Sequence, residues 1–531
     1  MKNPRTLALW TTTMTTAAFV LLSAYSMAQE GAPTAAPQAT DAPLRELDSQ
    51  VRELRAVIEQ MRAENAASRA EMQELRQELQ DTRKLLAPLA ASANASPASS
   101  VAAESTAPVS RSTSDTATTV DLGSRVQKLE ESTQLLGSKI DEQYQTKVET
   151  AGKYRARLSG IVLMNAFRNV GASDNLDLPD YAQPPAAGAY SQTSFGATLR
   201  QTEIGLEIFG PTLAGAKTSA NVQFDFAGGF PAANNGVNFG LVRLQTGSVR
   251  LDWQHTSVIA GQDSLFISPL SPTSFASLAI PSFAYAGNLW GWTPQIRVEH
   301  RFDLSDQQTV TVQGGILDNL DWETPGNQYE RTAQAGENSG QPAYAMRTAW
   351  SRPVFEHPLT FAVAGYYGRQ DWPWGHDIDA WAGMTDWQIP ILRRLTLSGE
   401  FYRGRGVGGL GGAIGQTILY GGNPSYATTS IRGLDSAGGW TQLKFQLTRK
   451  LELNGVFADD NAFAGDVRGF ATDANNFGPI LGRNRGELGN LVYRPRSDLL
   501  LSAEFRRLHT FPVYDSASVT NQINLSMGIL F

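Results

Sequence analysis

The spacing of apolar residues changes period once along this chain, near Tyr154, and the two periods predict two kinds of structure. Upstream, apolar side chains recur at alternating intervals of three and four: Leu44, Leu47, Val51, Leu54, Ile58, Met61, Met72, Leu75, Leu79, Leu86 and Leu89, with Asn65, Ser68 and Thr82 at the remaining positions. A strict 3.5-residue period puts these side chains in the a and d seam of a left-handed coiled coil over 44–89. Glu64, Glu71 and Glu78 fall at g and Arg69, Arg76 and Arg83 five residues later at e, the spacing of salt bridges between parallel helices in register. Asn65 at an a position is the expected determinant of oligomer register. Val51 and Ile58 at a with Leu54 at d lean towards a dimer, but so polar a seam leaves the strand number to whatever domain follows.

Beyond Tyr154 the period is two. Alternation marks strands near 155–168, 197–209, 216–227, 239–246, 249–262, 294–302, 308–317, 343–351, 359–369, 377–388, 394–404, 439–448, 451–459, 485–493, 498–509 and 519–531. In 216–227, Val222, Phe224 and Phe226 oppose Lys217, Ser219, Asn221, Gln223 and Asp225; in 294–302, Ile296, Val298 and Phe302 oppose Gln295, Arg297, Glu299 and Arg301. A soluble core does not tolerate so continuous a polar face, whereas a water-filled lumen does. Long connections (170–196, 228–238, 263–293, 318–342, 370–376, 405–438, 460–484, 510–518) alternate with short ones such as 211–215, 246–247, 303–306, 449–450 and 495–497. Tight turns at one end and long loops at the other are the habit of outer-membrane barrels. The expected fold class is therefore an all-β transmembrane barrel of about sixteen antiparallel strands over 154–531, preceded by an α-helical coiled coil. Trp253, Trp350, Trp381, Trp387 and Tyr493, near strand ends, are candidates for interfacial aromatic girdles.

The rest of the chain fits an exported protein. Lys2 and Arg5, an apolar stretch densest over 17–22, and Ser26-Met27-Ala28 read as a signal peptide over 1–28. Residues 90–118 are Ala-, Ser-, Thr- and Pro-rich and read as a flexible linker, and Leu122, Val126, Leu129, Leu136 and Ile140 mark a short helical segment in 119–150. Only 18% of residues are charged, against roughly 25% in ordinary soluble proteins. A net charge of −7 argues against nucleic acid as a partner, and the absence of cysteine excludes disulfides, thiol nucleophiles and Cys-based metal sites. His255, His300, His357, His376 and His509 show neither metal-ligand spacing nor an accompanying GxSxG elbow, so no enzyme activity, metal or cofactor is expected.

The coiled coil, the linker, the segment KVETAGKYRARLSGIVLMNAFRN, the stretch SPLSPTSFASLAIPSFAYAGNLWGWTPQIRVEHRF at 268–302 and the closing strand VTNQINLSMGILF together resemble the DcaP-like porins of Gram-negative outer membranes. That resemblance implies a homotrimer of sixteen-stranded barrels with a periplasmic coiled coil and passive uptake of small, often anionic solutes such as dicarboxylates. It also implies contact with the lipid bilayer, lipopolysaccharide and the barrel assembly machinery, and the coiled coil allows a tether to peptidoglycan. A sugar-selective channel and a structural anchor are the alternatives.

Passive pores select by width and by rings of charge. The connection at about 263–293 is apolar enough to fold inwards and resembles the third-loop constriction of trimeric porins; packing outside the barrel is the competing expectation. Inward alternation nominates Arg243, Arg250, Arg297, Arg301, Arg347 and Lys444 as pore-lining bases, with Glu203, Asp225, Asp252 and Glu299 as acidic neighbours. Arginine suits carboxylates because its planar fork binds two oxygens at once. For each one, a structural ion pair across strands is the competing assignment.

Overall fold

The computed structural model describes residues 154–531 apart from 190, 231–239, 320, 322–330, 471 and 477. The signal peptide, coiled coil, linker and helical segment expected over 1–150, Asn65 included, lie outside the described residues. From Arg155 onward the alternating chain forms sixteen antiparallel strands closed into one barrel. They are β1 (Arg155–Val170), β2 in two pieces (Thr193–Thr198 and Glu203–Phe209), β3 (Lys217–Asp225), β4 (Arg243–Asp252), β5 (Thr256–Ser264), β6 (Trp292–Ser305), β7 (Gln308–Leu317), β8 (Ala343–Val354), β9 (His357–Trp372), β10 (His376–Leu392), β11 (Leu395–Arg405), β12 (Asp435–Thr448), β13 (Leu451–Ala462), β14 (Leu481–Arg496), β15 (Leu499–Pro512) and β16 (Ser518–Leu530). Each pairs with the next, and β16 returns to β1 in the register Ile161 with Leu530 through Val170 with Asn521. Phe531 and Gly160 exchange backbone hydrogen bonds at the seam, so neither end strand is left with an open ladder.

The period of two now has a physical meaning. On β16, Ile523, Leu525, Met527 and Ile529 are more than half exposed, while Gln522, Asn524 and Ser526 between them are buried. The other strands again carry an exposed apolar band outside, and their inward face is mostly polar or small, with apolar exceptions such as Phe167, Trp440, Val456 and Leu488.

Most expected strands match, with three differences. The expected pair 239–246 and 249–262 is instead β4 and β5, and Thr246-Gly247 lies inside a strand. A register shift between Gln223 and Phe224 lets β4 run on past the turn-like dipeptide, and the chain reverses at 253–255, where Trp253 N–H donates to Thr256 O. The connection expected to be long at 370–376 is a tight turn of 373–375, closed by Trp374 and Gly375 at φ 69° and 73°. The second strand is interrupted between Thr198 and Glu203, which frees Arg200 and Gln201 to hold loops. Long loops still gather at one end, in 171–192, 226–242, 265–291, 318–342, 406–434 and 463–480.

The loop at 265–291 folds into the barrel. Leu265, Phe266, Ile267 and Leu289 pack on inward Ala345, Tyr366, Ala382 and Met384, and Phe283 and Ala286 pack on Trp440, Val456 and Leu488. Phe283 has a φ of 63°, a conformation that a bulky residue keeps only where its surroundings over-determine it. Its ring occupies the space above Gly486: a Cβ there would lie 2.2 Å from a ring carbon. Gly486→Val is therefore expected to expel Phe283 and loosen the loop. Amide exchange over 280–289 should accelerate by an order of magnitude or more while β1 and β16 stay protected; equal exchange in both proteins would show that Phe283 does not hold the loop.

Candidate functional site

The inward loop packs on the barrel wall, and backbone groups of the loop are satisfied by wall side chains. Glu400 on β11 accepts from Ser268 Oγ (2.5 Å) and Leu270 N–H (2.8 Å). Gln442 on β12 accepts from Thr273 N–H (2.7 Å), and Asn490 on β14 donates to Thr273 O (2.7 Å). Gln201 donates to Ala276 O (3.0 Å) and accepts from Leu278 N–H (2.7 Å), clamping the loop from the opposite wall. Loop carbonyls and amides that enter a barrel must find partners or forfeit a hydrogen bond each. These side chains provide them.

The strongest tie is on β15. Arg506 is almost fully buried and donates to Glu504 Oε1 (2.9 Å), Ser277 Oγ and Ser282 Oγ (both 3.0 Å), while Glu504 accepts from Ser274 Oγ (2.6 Å). Arg506 also reaches Pro179 O of the loop 171–192 at 3.4 Å, so one ion pair joins two loops to the wall. Arg200 adds a second fastening for that loop through a two-pronged pair with Asp177 (2.9 and 2.5 Å).

All ten nominated residues lie on the face opposite the exposed apolar side chains, and all six bases are ion-paired. Arg243 meets Asp225 (3.2 and 2.5 Å) and donates to Ala279 O of the loop, while Gln245 bridges Asp225 (2.8 Å) and Glu203 (3.2 Å). Arg297 donates to Asp263 (2.7 Å) and Glu299 (2.9 Å), and Arg250 to Asp252 (2.7 Å) and Glu299 (3.5 Å). These residues form one continuous network on β4, β5 and β6. Arg301, half exposed, pairs with Asp303 (3.0 Å) near the short-turn end. Arg347 is buried in a two-pronged pair with Asp386 (2.8 and 2.7 Å), and Lys444 stands 3.6 Å from Glu452. The competing assignment of structural cross-strand pairs thus describes each of these bases, and a charge cancelled within 3 Å acts on a passing solute only as a dipole.

A different set of groups faces open space. Below the loop is a cavity of about 290 Å³ lined by Lys444, Arg394, His357, Gln388, Gln442 and Trp440 among others, with no carboxylate in its lining. Arg394, in the turn after β10, donates to Leu447 O at 3.2 Å and has no carboxylate partner among the described residues. Trp440 contributes to this lining, and its indole N–H is buried with no acceptor. Sequence reasoning nominated Lys444 but missed Arg394 and His357, which sit in or beside turns where alternation ends. It also missed Glu400, Glu504 and Arg506, which carry the inward parity of their strands but look like any other lumen residue until the loop is in place.

Two outcomes follow from the loop fastenings. Arg506→Ala strands Glu504 as a buried, unpaired charge, and breaking such a pair costs about 3–5 kcal/mol; chemical denaturation in detergent should register that loss, and a change near zero would mean that Glu504 is re-solvated. The second outcome is a pH dependence. Burial, then the neighbouring Asp174, push the Asp180 carboxyl well above the ordinary carboxylate range against the pull of Arg506, and burial raises Asp174 as well. A carboxyl with a raised pKa holds its proton more firmly when docked than when free. Docking of 171–192 is therefore favoured in acid and weakens as pH rises from the ordinary carboxylate value through the raised one. A spin label at Gln183→Cys, the single thiol in this cysteine-free chain, should gain mobility across that interval, and Asp180→Asn should flatten the response.

Comparison with solved structures identifies the fold. The outer-membrane channel DcaP of Acinetobacter baumannii matches with a TM-score of 0.53 over 73% of this chain and 100% of its own, at 13% identity. An anion-selective porin from Comamonas acidovorans matches with a TM-score of 0.44 over 71% of this chain and 100% of its own, at 11% identity. OprB of Pseudomonas putida matches at 0.43 over 71% and 94%, at 12% identity. No protein-family model matches the chain, and no curated protein does. The resemblance to DcaP-like porins thus holds at the level of fold.

Proposed function

We propose that this chain is an outer-membrane porin through which small hydrophilic, preferentially anionic solutes of the dicarboxylate type diffuse passively. The observation that carries this reading is one closed sheet with an exposed apolar band outside, polar side chains inside and a loop folded across the lumen. Only a barrel can cross a bilayer with strands, because every backbone group is then paired within the sheet. A sixteen-stranded barrel is wide enough for water. The export signal and the DcaP-like fold support the outer membrane as the location, and the heptad segment with the resemblance supports a homotrimer.

Anion preference rests on the cavity below the loop rather than on the five nominated arginines. Arg394 and Lys444 supply donors there; the lining itself holds no carboxylate, and the one acid near Lys444 among the described residues is Glu452 at 3.6 Å. The paired arginines keep the wall carboxylates neutralised, which helps anions by removing a repulsion. In planar bilayers under a salt gradient, reversal potentials should indicate anion preference. Arg394→Ala with Lys444→Ala should abolish most of it, and Arg297→Ala, which leaves Asp263 and Glu299 unbalanced, should move it towards cations. Cation preference in the unmodified protein, or indifference to all of these changes, would overturn the assignment, and the absence of any conductance would leave a structural anchor. The same cavity favours a second reading: Gln388, Gln442 and Gln446 beside Trp440 offer the amides and the ring face that a sugar uses. Liposome swelling with sugars against dicarboxylates separates the two.

A further inference from the structure

The cavity below the loop is graded along its length. Register sets its rows on β11 and β12: Thr396 lies opposite Lys444 and Ser398 opposite Gln442, while Gln388 of β10 lies opposite Ser398. Arg394 and Gln446 form the row nearest the short turns, joined where Gln446 N–H donates to Arg394 O. Rows two residues apart along a strand are separated by roughly 7 Å. The cations Arg394 and Lys444 therefore occupy the two rows nearest the turns. The row next to the loop, where Gln442 accepts from Thr273 N–H, holds only uncharged polar groups.

Several of these uncharged side chains are uncommitted. Gln388, Thr396, Ser398 and Gln446 line the cavity and make no side-chain hydrogen bond among the described residues. Many inward amides elsewhere on the wall are engaged: Gln245 donates to Asp225 and Glu203, Gln313 to Glu299, and Asn454 to Asn490. An amide or a hydroxyl both donates and accepts, whereas a carboxylate only accepts. A solute that uses the uncommitted groups fully must therefore do both, as a hydroxyl does.

We propose that this cavity is a subsite for polyhydroxylated carboxylates, sugar acids in chemical class, with a carboxylate against Arg394 and Lys444 and hydroxyls on Gln388, Thr396 and Ser398. The proposal rests on the anion-channel reading and narrows it: among anions of equal charge and length, those bearing hydroxyls are favoured. Arg394 offers the planar fork of a guanidinium, and Lys444, 3.6 Å from Glu452, adds a point charge one row further in. The interval from Lys444 to the Ser398 row, roughly 7 Å, is the span of a short carbon chain. An unsubstituted dicarboxylate brings methylenes to that interval, displaces water from the wall groups and leaves them unpaired, which a site built for hydroxyls penalises. A neutral polyol finds the hydroxyl partners but brings no counter-charge to the two cations.

The test compares adipate, galactarate and galactitol, which share one carbon chain length and differ only in carboxylates and hydroxyls, as blockers of chloride current through the full-length protein in planar bilayers. Galactarate should block at a concentration at least about threefold below adipate, the difference that one or two neutral hydrogen bonds make, and galactitol should be the weakest of the three. Gln388→Leu with Ser398→Ala should bring the galactarate-to-adipate ratio to about one, and Thr396→Val alone should lower it part of the way. Arg394→Ala with Lys444→Ala should weaken block by both acids at least about tenfold while the ratio between them survives. Heat-modifiable migration shows that each variant is folded. Equal block by the two acids, no block by either, galactitol as strong as galactarate, or an unchanged ratio in the Gln388 and Ser398 double variant would each overturn the proposal. Cation preference in salt-gradient reversal potentials would strike the anion-channel reading itself, whereas anion preference with equal block by the two acids would strike this inference alone.

Discussion

Everything in this molecule depends on a closed backbone ladder. β1 is long enough to serve two neighbours at once: its first half pairs with Glu203–Phe209, its second half with Thr193–Thr198, and its other edge with β16. Because the two ends of the domain meet at this seam, no strand presents unpaired amides and carbonyls, and the outside of the sheet can be uniformly apolar without inviting edge pairing. The inside is then free to be polar, since it no longer has to supply a hydrophobic core. A water-lined channel becomes possible only after that exchange.

A polar interior creates its own difficulty, because a chain entering it loses water from its backbone and must be given new partners. The loop 265–291 is accommodated by dividing the task. Small wall residues such as Gly486, Ala382 and Ala458 leave room for its apolar side chains, and Glu400, Gln442, Asn490, Glu504 and Gln201 receive its backbone and serines. The same wall spends most of its arginines on neighbouring carboxylates. Rigidity and charge are therefore coupled: the wall arginines beside the loop are neutral as pairs with their carboxylates, and the residual field comes from bases such as Arg394 that stand apart from the loop fastenings.

Sequence periodicity reveals the outer face better than the inner one. Lipid-type surfaces impose a single requirement, apolarity at every second residue, and Ile523 to Ile529 or Ile296 and Val298 display it without knowledge of any partner. The strand count and the inward parity of the ten nominated residues were legible for that reason. The pairing of those residues was not, because Arg347 with Asp386 or Arg297 with Asp263 joins strands far apart in sequence or separated by the folded loop. Turn chemistry misled at Thr246-Gly247, where a register shift absorbed the dipeptide, and at 370–376, where Trp374 took a left-handed conformation without being glycine. Arg506 could not have been singled out: its role exists only once two loops converge on it.

The outer wall repeats this logic at a different level. Where outward arginines reach aspartates diagonally across a ladder, as Arg403 reaches Asp435, their charge is cancelled within the surface itself. Where the local aspartate already serves Arg483, the next arginines along the wall are left with open donors directly above apolar rows. The height of these charged rows is set by the same alternation that sets the apolar band. Lumen and outer wall thus follow one rule: the closed sheet cancels most of its arginines within itself, and the field that remains comes from those, such as Arg394 and Arg507, that have no carboxylate within ion-pair distance among the described residues.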